Sequence, residues 1–370
     1  MNKIMGLILS AGYSSRMGDF KPLLPFGKEN ALLRQIKAFQ RAGIQDICVV
    51  VGHHAERLIP VIENAGAQWV LNSDYHKGMF SSVQTGVRRL ASLGCSSFFL
   101  LPVDYPLIRW WIIRILLHAY QKEDKKILYP CFRRQKGHPP LISADYIEEI
   151  IEFSGEGGLR QVLLQHERES MNVEVEEESI LLDMDTQEDY QMLLKYFAQY
   201  GYLEEEKCFD LLDQENVNPD VIAHGKKVAE VAALMGIALK QKGYLFNIHQ
   251  IACAGLLHDI AKGRPDHAKA GAEIVFQHLN CPKIAEIVSC HMELGDRDIT
   301  VLDEVAIVYL ADKLVRGTKV VTLEERLQAT LEKFKGDPSS APFAVERIQK
   351  AERLKEQVEK ILEINLYQIL

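Results

Sequence analysis

The sequence predicts an α/β domain with a mostly parallel sheet, followed by an all-α domain. Over residues 1 to about 200, short apolar runs that suit buried strands alternate with amphipathic helical stretches. From Asp220 onward the apolar residues follow helical periodicity, and no stretch has a good strand pattern. A chain of 370 residues has room for about two domains, and 47% hydrophobic residues suffice for a buried core.

The strands of the first half are marked by apolar and β-branched runs. Ile4–Ser10 is a continuous apolar run, as expected of a strand buried on both faces of a sheet. A helical pattern over 31–42 ends at Gly43, and the alternation continues with a strand at 46–51, helices at 54–65 and 80–92, and a strand at 97–103. In sheets of this kind, ligands bind at the carboxyl ends of the strands.

The second half is predicted to contain helices at 220–242, 247–261, 267–279, 282–292 and 301–314. A last amphipathic helix is indicated by Ile348, Ala351, Leu354, Val358 and Ile361, and we expect it to pack on its own domain. Three glutamates at 204–206 and a helix-breaking stretch at 216–219 indicate a boundary. The predicted division is a domain at 1–200, a linker at 201–218, a helical domain at 219–340 and a C-terminal helix at 341–370.

Charge and cysteine usage narrow the class of protein. The net charge of −8 gives no general attraction to nucleic acid or to an anionic membrane. The seven cysteines are scattered and form no CxxC pair, which is typical of reduced thiols in a cytoplasmic protein. No apolar run approaches the roughly 18 residues that a membrane span needs, and the apolar start is interpreted as a strand rather than a signal peptide.

The first predicted strand leads into a loop of small residues, Ser10-Ala11-Gly12, followed by Arg16 and Lys21. Small residues let backbone N–H groups approach an anion, and the two basic side chains can neutralise a triphosphate. The loop matches neither a Walker loop nor GxGxxG. For the Gly-Ser turn alone, a turn with solvated basic neighbours would be the better interpretation.

The whole string, however, resembles the start of the MobA-like nucleotidyltransferases, whose pattern is L-x-A-G-x-S-x-R-M-G followed by K-x-L-L. The matching residues are Leu9, Ala11, Gly12, Ser14, Arg16, Met17, Gly18, Lys21, Leu23 and Leu24. The resemblance covers about residues 4–196 and implies a Rossmann-like, GT-A-like nucleotidyltransferase fold. It also implies that the nucleotide is bound by Leu9, Ser10, Ala11, Gly12, Arg16 and Lys21, of which Arg16 and Lys21 are also catalytic.

Two aspartates are the magnesium ligands that this resemblance implies. Asp104 follows the strong strand at 97–103, and Asp185 lies in Asp183-Met184-Asp185-Thr186-Gln187-Glu188-Asp189, which is similar to a D-x-D-T-x-E-D element of the family. Each has a structural alternative, because Asp104 precedes a turn proline and Asp185 or Thr186 can cap the following helix. The position of Asp104 at a strand end near the phosphate loop favours the metal-ligand interpretation.

Three further residues are assigned to substrate by the resemblance. Asn72 and Ser82 are similar to a segment that lines the base and ribose, although Ser82 can also serve as a helix cap. His138 lies in Gly137-His138-Pro139-Pro140, an element typical of the cytidylyltransferase branch, where it lies near the acceptor. Without the resemblance, a loop histidine would carry no functional implication.

The implied reaction joins a nucleotide to a phosphate-bearing acceptor. A phosphate oxygen of the acceptor attacks the α-phosphorus of a nucleoside triphosphate and pyrophosphate leaves, while Mg²⁺ and basic side chains neutralise the charge. The Ser-Ala-Gly loop and Gly-His-Pro resemble the molybdenum cofactor cytidylyltransferase branch, which implies CTP and molybdopterin, and a molybdoenzyme as partner. Ser10 departs from the usual alanine, and neighbouring branches use sugar phosphates, polyol phosphates or phosphocholine.

The helical half contains a second set of residues, His224, the adjacent His258-Asp259, and Asp312. This set, with flanks such as Leu256-Leu257-His258-Asp259-Ile260 and Leu310-Ala311-Asp312-Lys313, resembles the H…HD…D pattern of HD-domain phosphohydrolases over about residues 219–335. Nitrogen and carboxylate ligands together suit Mn²⁺, Fe²⁺, Co²⁺, Zn²⁺ or Mg²⁺. The resemblance implies a divalent metal on these four residues and catalytic roles for His258 and Asp259.

Three more residues extend this second site. His267 and His291 occur where binuclear HD domains place additional ligands, but each can also simply begin or end a helix. Lys262 follows the His-Asp pair by three residues and is assigned to a substrate phosphate, with a solvated lysine at a helix end as the alternative.

Together these features predict a bifunctional cytoplasmic enzyme, a nucleotidyltransferase fused to an HD phosphohydrolase. One rival keeps the transferase but makes the acceptor a sugar or alcohol phosphate. Another makes the chain a cofactor-binding chaperone, with a pterin held by the first domain and an HD domain that only senses nucleotide.

Overall fold

The computed structural model describes residues 3–13, 17–333 and 341–370. The chain divides into two compact units, Met1–Tyr200 and Gly201–Leu370, and each is described by itself. Arg16, which the sequence assigns to the nucleotide phosphates, lies outside the described residues.

A central sheet organises the first unit. Its strands and those of a small hairpin are β1 (Ile4–Ser10), β2 (Pro25–Phe26), β3 (Glu29–Asn30), β4 (Ile47–Val51), β5 (Gln68–Leu71), β6 (Ser97–Pro102), β7 (Ile127–Phe132), β8 (Gln135–Lys136), β9 (Leu141–Ser143) and β10 (Ser170–Glu174). The sheet order is β10-β7-β9-β6-β1-β4-β5, with β8 paired to β7 and β2 paired only to β3. Most pairs are parallel, and β9 runs antiparallel to β6 and β7.

The strand order reverses at β1: β4 and β5 follow on one side of it, and β6 and later strands are added on the other. β1 pairs in parallel with β4 on one side and with β6 on the other, with Leu9 opposite Val50 and Pro102. The strands β1, β4 and β6 are buried along almost their whole length, as their unbroken apolar runs require. The loops after β1 and β6 therefore lie side by side at a topological switch point, the usual ligand position in an open α/β sheet.

Helices cover the sheet. They are α1 (Ala31–Ala42), α2 (Ala55–Asn64), α3 (Met79–Ser92), α4 (Trp110–Lys122), α5 (Ile147–Glu152), α6 (Gly158–Gln165) and α7 (Gln187–Gln199). α1 begins at Asn30, whose side chain accepts a hydrogen bond from the backbone of Leu33. The predicted mostly parallel α/β fold is confirmed.

The second unit is helical, with one small hairpin. Its elements are α8 (Tyr202–Gln214), α9 (Pro219–Gln241), α10 (Ile248–Leu257), α11 (His267–Leu279), α12 (Pro282–Cys290), α13 (Glu304–Leu314), β11 (Val315–Arg316), β12 (Lys319–Val320), α14 (Leu323–Lys333) and α15 (Ala341–Leu362). The hairpin β11–β12 is the exception to the predicted absence of strands after Asp220, because each of its strands is too short to leave a pattern. α15 packs against α13 and α14 of the same unit.

The stretch predicted as a linker, 201–218, is mostly helix. α8 buries Tyr202 and Leu211 on its apolar face, and it belongs to the second unit. The three glutamates at 204–206 were interpreted as part of a domain boundary, yet Glu205 and Glu206 are buried. The charge pattern was misleading because partners from elsewhere in the fold accompany these carboxylates, among them His249, 3.9 Å from Glu205.

A search of the described residues for helices long and apolar enough to cross a membrane finds none.

Candidate active sites

The loop after β1 begins from a rigid base. The side chain of Leu9 packs in the apolar core beneath the sheet edge, so only its backbone can face a ligand. Ser10 is also buried, and its hydroxyl has no hydrogen-bond partner among the described residues. Ala11 is fixed by its carbonyl, which accepts from the backbone of His53, whereas a Cβ added at Gly12 would meet open space. Gly12 is therefore the point of the described loop at which a ligand can approach the backbone.

Asp104 lies in a tight turn directly beside this loop. The backbone N–H of Tyr105 donates to the carbonyl of Pro102 at 3.2 Å, which closes the turn, and Val103 donates to the carbonyl of Leu9 at 3.0 Å. One carboxylate oxygen of Asp104, Oδ1, is buried without a hydrogen-bond partner among the described residues. A buried, unpartnered carboxylate oxygen is costly by itself and is the kind of group that a cation satisfies.

A lysine and two more carboxylates complete this corner. Lys21 Nζ donates to Asp185 Oδ1 at 2.8 Å, and Lys21, Asp104, Asp183 and Asp185 line one cavity. Burial raises the pKa of Asp104, although the charge of Lys21 acts in the opposite direction. Burial and the neighbouring charge of Asp185 also raise the pKa of Asp183. The corner therefore concentrates negative charge that Lys21 alone does not balance.

The segment carrying Asp185 is held by a helix cap. Thr186 Oγ1 accepts from the backbone of Asp189, and Asp189 Oδ2 accepts from the backbone of Thr186, forming a reciprocal capping box at the start of α7. The capping role thus belongs to Thr186, which leaves Asp185 to face the cavity and Lys21.

The cavity at this edge of the sheet has a volume of about 1010 Å³. Apolar and aromatic side chains such as Phe80 and Tyr129 form much of its wall, and Lys136 and Glu167 form an ion pair within it. His138 also lines it, with its ring 4.3 Å from that of Tyr105. Burial lowers the pKa of His138 to about 4, so the ring is neutral at pH 7 and cannot supply a positive charge to a phosphate.

The side chains of Asn72 and Ser82, which are predicted to contact base and ribose, form hydrogen bonds within the protein. Asn72 Nδ2 donates to the hydroxyls of Ser81 at 2.9 Å and Ser82 at 3.0 Å, and its oxygen accepts from the backbone of Asp74. Both Asn72 and Ser82 are buried. Asn72 therefore organises the entry to α3, and its amide has no free donor for a base in this arrangement.

The second site lies where α9 and α10 cross closely. A Cβ at Gly225 would collide with the carbonyl of Leu256, and one at Gly255 would collide with the backbone of Ala229. This close approach brings His224 of α9 within 5.1 Å, ring to ring, of His258, which lies just after α10.

Backbone carbonyls fix the direction of the histidine rings. Nδ1 of His224 donates to Gly317 at 2.9 Å, Nδ1 of His258 to Gly255 at 2.8 Å, and Nδ1 of His291 to Val288 at 2.7 Å. Because a carbonyl only accepts, Nδ1 carries a proton in each ring, and the neutral form of the ring then has its lone pair at Nε2. These Nε2 atoms point toward Asp259 or Asp312, and that of His258 is buried without a hydrogen-bond partner among the described residues.

The two aspartates divide this cluster into adjoining halves. Asp312 Oδ1 lies 3.3 Å from His224 Nε2 and 3.5 Å from His258 Nε2. Asp259 Oδ2 lies 3.6 Å from His258 Nε2, whereas its Oδ1 lies 3.4 Å from His267 Nε2 and 3.6 Å from His291 Nε2. Among the described residues, two sets have ligand atoms within 4.8 Å of one another: His224, His258 and Asp259, and Asp259, His267 and His291.

Two lysines border this cluster. Lys262 pairs with Asp259 Oδ2, and the buried Lys313 donates to Asp312 Oδ2 at 2.6 Å and to the carbonyl of His291 at 2.9 Å. Burial by itself would raise the pKa of Asp312, but Lys313 and the histidines hold that pKa well below its usual value. Asp312 is therefore charged, and the half-exposed Lys262 forms an ion pair with Asp259.

Some residues at these sites carry weak sequence signals. Asp183 lies two residues before the predicted ligand Asp185, and Lys313 directly follows the predicted ligand Asp312. This proximity in the sequence could have indicated both residues. Lys136 and Glu167, by contrast, are exposed charges 31 positions apart, and only the fold makes them neighbours in the cavity.

The first unit is thus a nucleotidyltransferase-like domain. A loop of small residues, a lysine and several carboxylates lie at the switch point of its mostly parallel sheet. The model of the MobA-like NTP transferase domain matches residues 6–170, and the model of the HD domain matches residues 221–317. The chain belongs to the MobA-like NTP transferase family, and its second unit carries an HD domain.

Individual relatives cover different parts of the chain. The molybdenum cofactor cytidylyltransferase of Escherichia coli (strain K12) is 30% identical over 192 residues, which is 51% of this chain and 95% of that protein. A bifunctional uridylyltransferase/uridylyl-removing enzyme of Pseudomonas entomophila (strain L48) is 25% identical over 274 residues, 70% of this chain and 27% of its own length. A solved nucleotidyl transferase from Methanothermobacter thermautotroptrophicus is 21% identical with a TM-score of 0.47, covering 54% of this chain and 99% of its own.

Proposed function

We propose that the first unit is a Mg²⁺-dependent cytidylyltransferase that joins CTP to a phosphate-bearing acceptor, most simply molybdopterin, and releases pyrophosphate. One observation carries this proposal: Oδ1 of Asp104 is buried without a hydrogen-bond partner among the described residues, and it lies next to the Lys21–Asp185 pair in one large cavity. A divalent cation held by Asp104 and Asp185 supplies the charge neutralisation that phosphoryl chemistry needs.

The chain's own residues account for positioning. The backbone at Gly12 is open to the triphosphate, Lys21 supplies a positive charge beside the carboxylates, and Arg16 is assigned a second positive charge. The acceptor phosphate is placed in the cavity opposite, where the neutral His138 offers a hydrogen-bonding ring rather than a charge. Since no protein nucleophile is required, orientation and electrostatics carry the rate.

The choice of CTP and molybdopterin is supported by the relative that is 30% identical and is a molybdenum cofactor cytidylyltransferase. The aromatic and apolar cavity walls suit a flat heteroaromatic acceptor, which can stack on them, better than a sugar phosphate alone. A sugar- or alcohol-phosphate acceptor is the alternative that the same screen tests.

We propose further that the HD domain is a metal-dependent phosphohydrolase with a binuclear centre. Asp259 has one carboxylate oxygen in each half of the histidine cluster, which suits an aspartate shared by two cations. His224, His258 and Asp312 would complete one site, and His267 and His291 the other. Ions of this type make water nucleophilic near neutral pH, and in this proposal Lys262 contacts a substrate phosphate.

The test of the transferase is a pyrophosphate-release screen of ATP, CTP, GTP and UTP against molybdopterin and a panel of sugar and alcohol phosphates. CTP with molybdopterin should give the highest kcat/KM. A clear preference for GTP would overturn the cytidylyl assignment, and preference for a sugar phosphate would overturn the acceptor. Tight binding of CTP and pterin without pyrophosphate release would instead support the chaperone alternative.

The test of the HD domain is metal content and hydrolysis. The purified chain should bind divalent metal at His258 and Asp259, with up to two ions per chain at this centre, and should hydrolyse phosphomonoesters or phosphodiesters in a general panel. Nucleotide binding without any hydrolysis would favour a sensing role for this domain.

A further inference from the structure

Gln35 lies on α1, outside every motif discussed above, and is almost fully buried at 1% exposure. Its Nε2 donates to the carbonyl of Pro102 at 2.7 Å and to the carbonyl of Tyr105 at 2.9 Å. Both acceptors are carbonyls, so the orientation of the amide is unambiguous. The two carbonyls are the first and last of the turn that contains Asp104.

The other side of this turn is tied to the second carboxylate segment. The carbonyl of Asp104 accepts from the backbone N–H of Met184 at 2.9 Å, between Asp183 and Asp185. Gln35 and Met184 thus hold the backbone of Asp104 from two directions. Because Oδ1 of Asp104 has no hydrogen-bond partner of its own among the described residues, the position of this oxygen depends on the backbone that carries it.

The amide of Gln35 is poorly explained as simple packing. Its Oε1 is buried without a hydrogen-bond partner among the described residues, which is unfavourable. A methionine of similar length would fill the same space and leave no such atom. What a methionine could not do is donate to Pro102 and Tyr105.

We propose that Gln35 is a positioning residue for the transferase: its amide fixes the Asp104 turn at the separation from Asp185 that a cation requires. This inference rests on the proposed nucleotidyl transfer. Gln35 touches neither substrate nor metal in this role. It acts through the two carbonyls that flank Asp104.

The test compares Gln35→Met with a matched control, Gln40→Met. Gln40 lies on the same helix and its Nε2 also donates to a carbonyl, that of Ala65 at 2.7 Å, which is not part of the Asp104 turn. Gln35→Met should lower kcat by about 10- to 100-fold, the scale of a small misplacement of a catalytic group, with a smaller change in KM for CTP. Gln40→Met should leave kcat near that of the natural chain.

Metal binding gives a readout that does not depend on turnover. Mn²⁺ titration followed by electron paramagnetic resonance should show that Gln35→Met weakens the class of sites that Asp104→Asn removes, whereas Gln40→Met does not. Gln35→Glu adds a pH signature, because a buried carboxylate facing two carbonyls is disfavoured and a protonated one can donate. Its activity relative to the natural chain should therefore rise as the pH is lowered.

Equal kcat and Mn²⁺ affinity in Gln35→Met and Gln40→Met would overturn the proposal. If Gln35→Met does not fold, the Gln35→Glu series decides, and an activity ratio independent of pH would count against positioning. Failure of the proposed function is distinguishable, since the natural chain itself would then release no pyrophosphate while the Mn²⁺ comparison would still report on Gln35.

Discussion

Asp104 shows how one residue can be costly to the fold and useful to the site. Its carboxylate is placed by a turn at the end of β6, with Oδ1 buried and unpartnered among the described residues, and burial raises its pKa. A group in this state gains most from a cation, because the ion relieves the penalty that burial imposes.

Asp104→Asn should reduce pyrophosphate release by at least about 100-fold, since it removes one electrostatic catalytic group while keeping the shape of the side chain. Steady-state turnover with CTP and acceptor, with circular dichroism to check folding, measures this. Asp145→Asn is the control, because Asp145 is exposed and pairs with Lys126 on the surface. Turnover near that of the natural chain in Asp104→Asn would remove Asp104 from the site.

The same substitution should raise stability when metal is absent. A raised pKa means that the folded carboxyl holds its proton more tightly than the unfolded one, so its favourable contribution exists at low pH and is lost as pH rises through the folded pKa. At pH 7 in EDTA, Asp104→Asn should therefore have the higher Tm, and the difference should shrink toward pH 4. Saturating Mg²⁺ should reverse the order by stabilising only the natural chain. A lower Tm for Asp104→Asn in EDTA at pH 7 would contradict this account.

At the scale of elements, the hairpin β11–β12 supports the candidate metal site of the second unit. Its turn residue Gly317 has a φ of +61°, and its carbonyl accepts from Nδ1 of His224. The hairpin therefore helps to fix the direction of the ring of His224, a candidate metal ligand on α9.

Gly317→Ala should weaken metal binding at the HD centre by about 10-fold or more, since an outer hydrogen bond to a ligand histidine would be displaced. Gly243→Ala is a matched control: its φ is +94° and, as at Gly317, an added Cβ would meet nothing within 4 Å. Both variants should lose about 1 kcal/mol of folding free energy from the left-handed backbone. Metal affinity measured by chelator competition should fall only for Gly317→Ala, and an equal fall in both would assign the effect to strain alone.

At the scale of the whole molecule, the two groups of candidate ligands belong to different compact units. Asp104 and Asp185 lie in Met1–Tyr200, and the histidine cluster lies in Gly201–Leu370. Each unit has its own core and its own buried polar atoms without a hydrogen-bond partner among the described residues. Separate chemistry in each half is the simplest consequence.

The double substitution His258→Ala with Asp259→Ala should abolish metal at the HD centre and any phosphohydrolase activity. Nucleotidyl transfer should stay within about twofold of the natural chain, because independent sites behave additively. Metal analysis and the two activity assays on one preparation measure this, with Asp104→Asn as the reciprocal control. Loss of transfer in a folded double variant would show that the halves share one active centre.

Sequence alone determined the features whose chemistry requires particular residue types. The continuous apolar run at Ile4–Ser10 favoured a buried strand, and the loop string after it carried enough specific residues to indicate the family. The flanked His258-Asp259 pair did the same for the HD domain. Such motifs consist of residues that are close together in the chain, so they can be recognised in the sequence.

Only the tertiary structure decided which polar groups remain free for function. In the fold, the amide of Asn72 donates to two serine hydroxyls, and Lys313 donates to Asp312. The buried Gln35 donates to the Asp104 turn, and most of the stretch expected to be a linker is helical. These outcomes depend on hydrogen bonds between residues distant in the chain, often to backbone carbonyls that every residue possesses. A carbonyl acceptor leaves no mark on the residue type that carries it, and for this reason the sequence could suggest candidate ligands but not the hydrogen bonds that orient them.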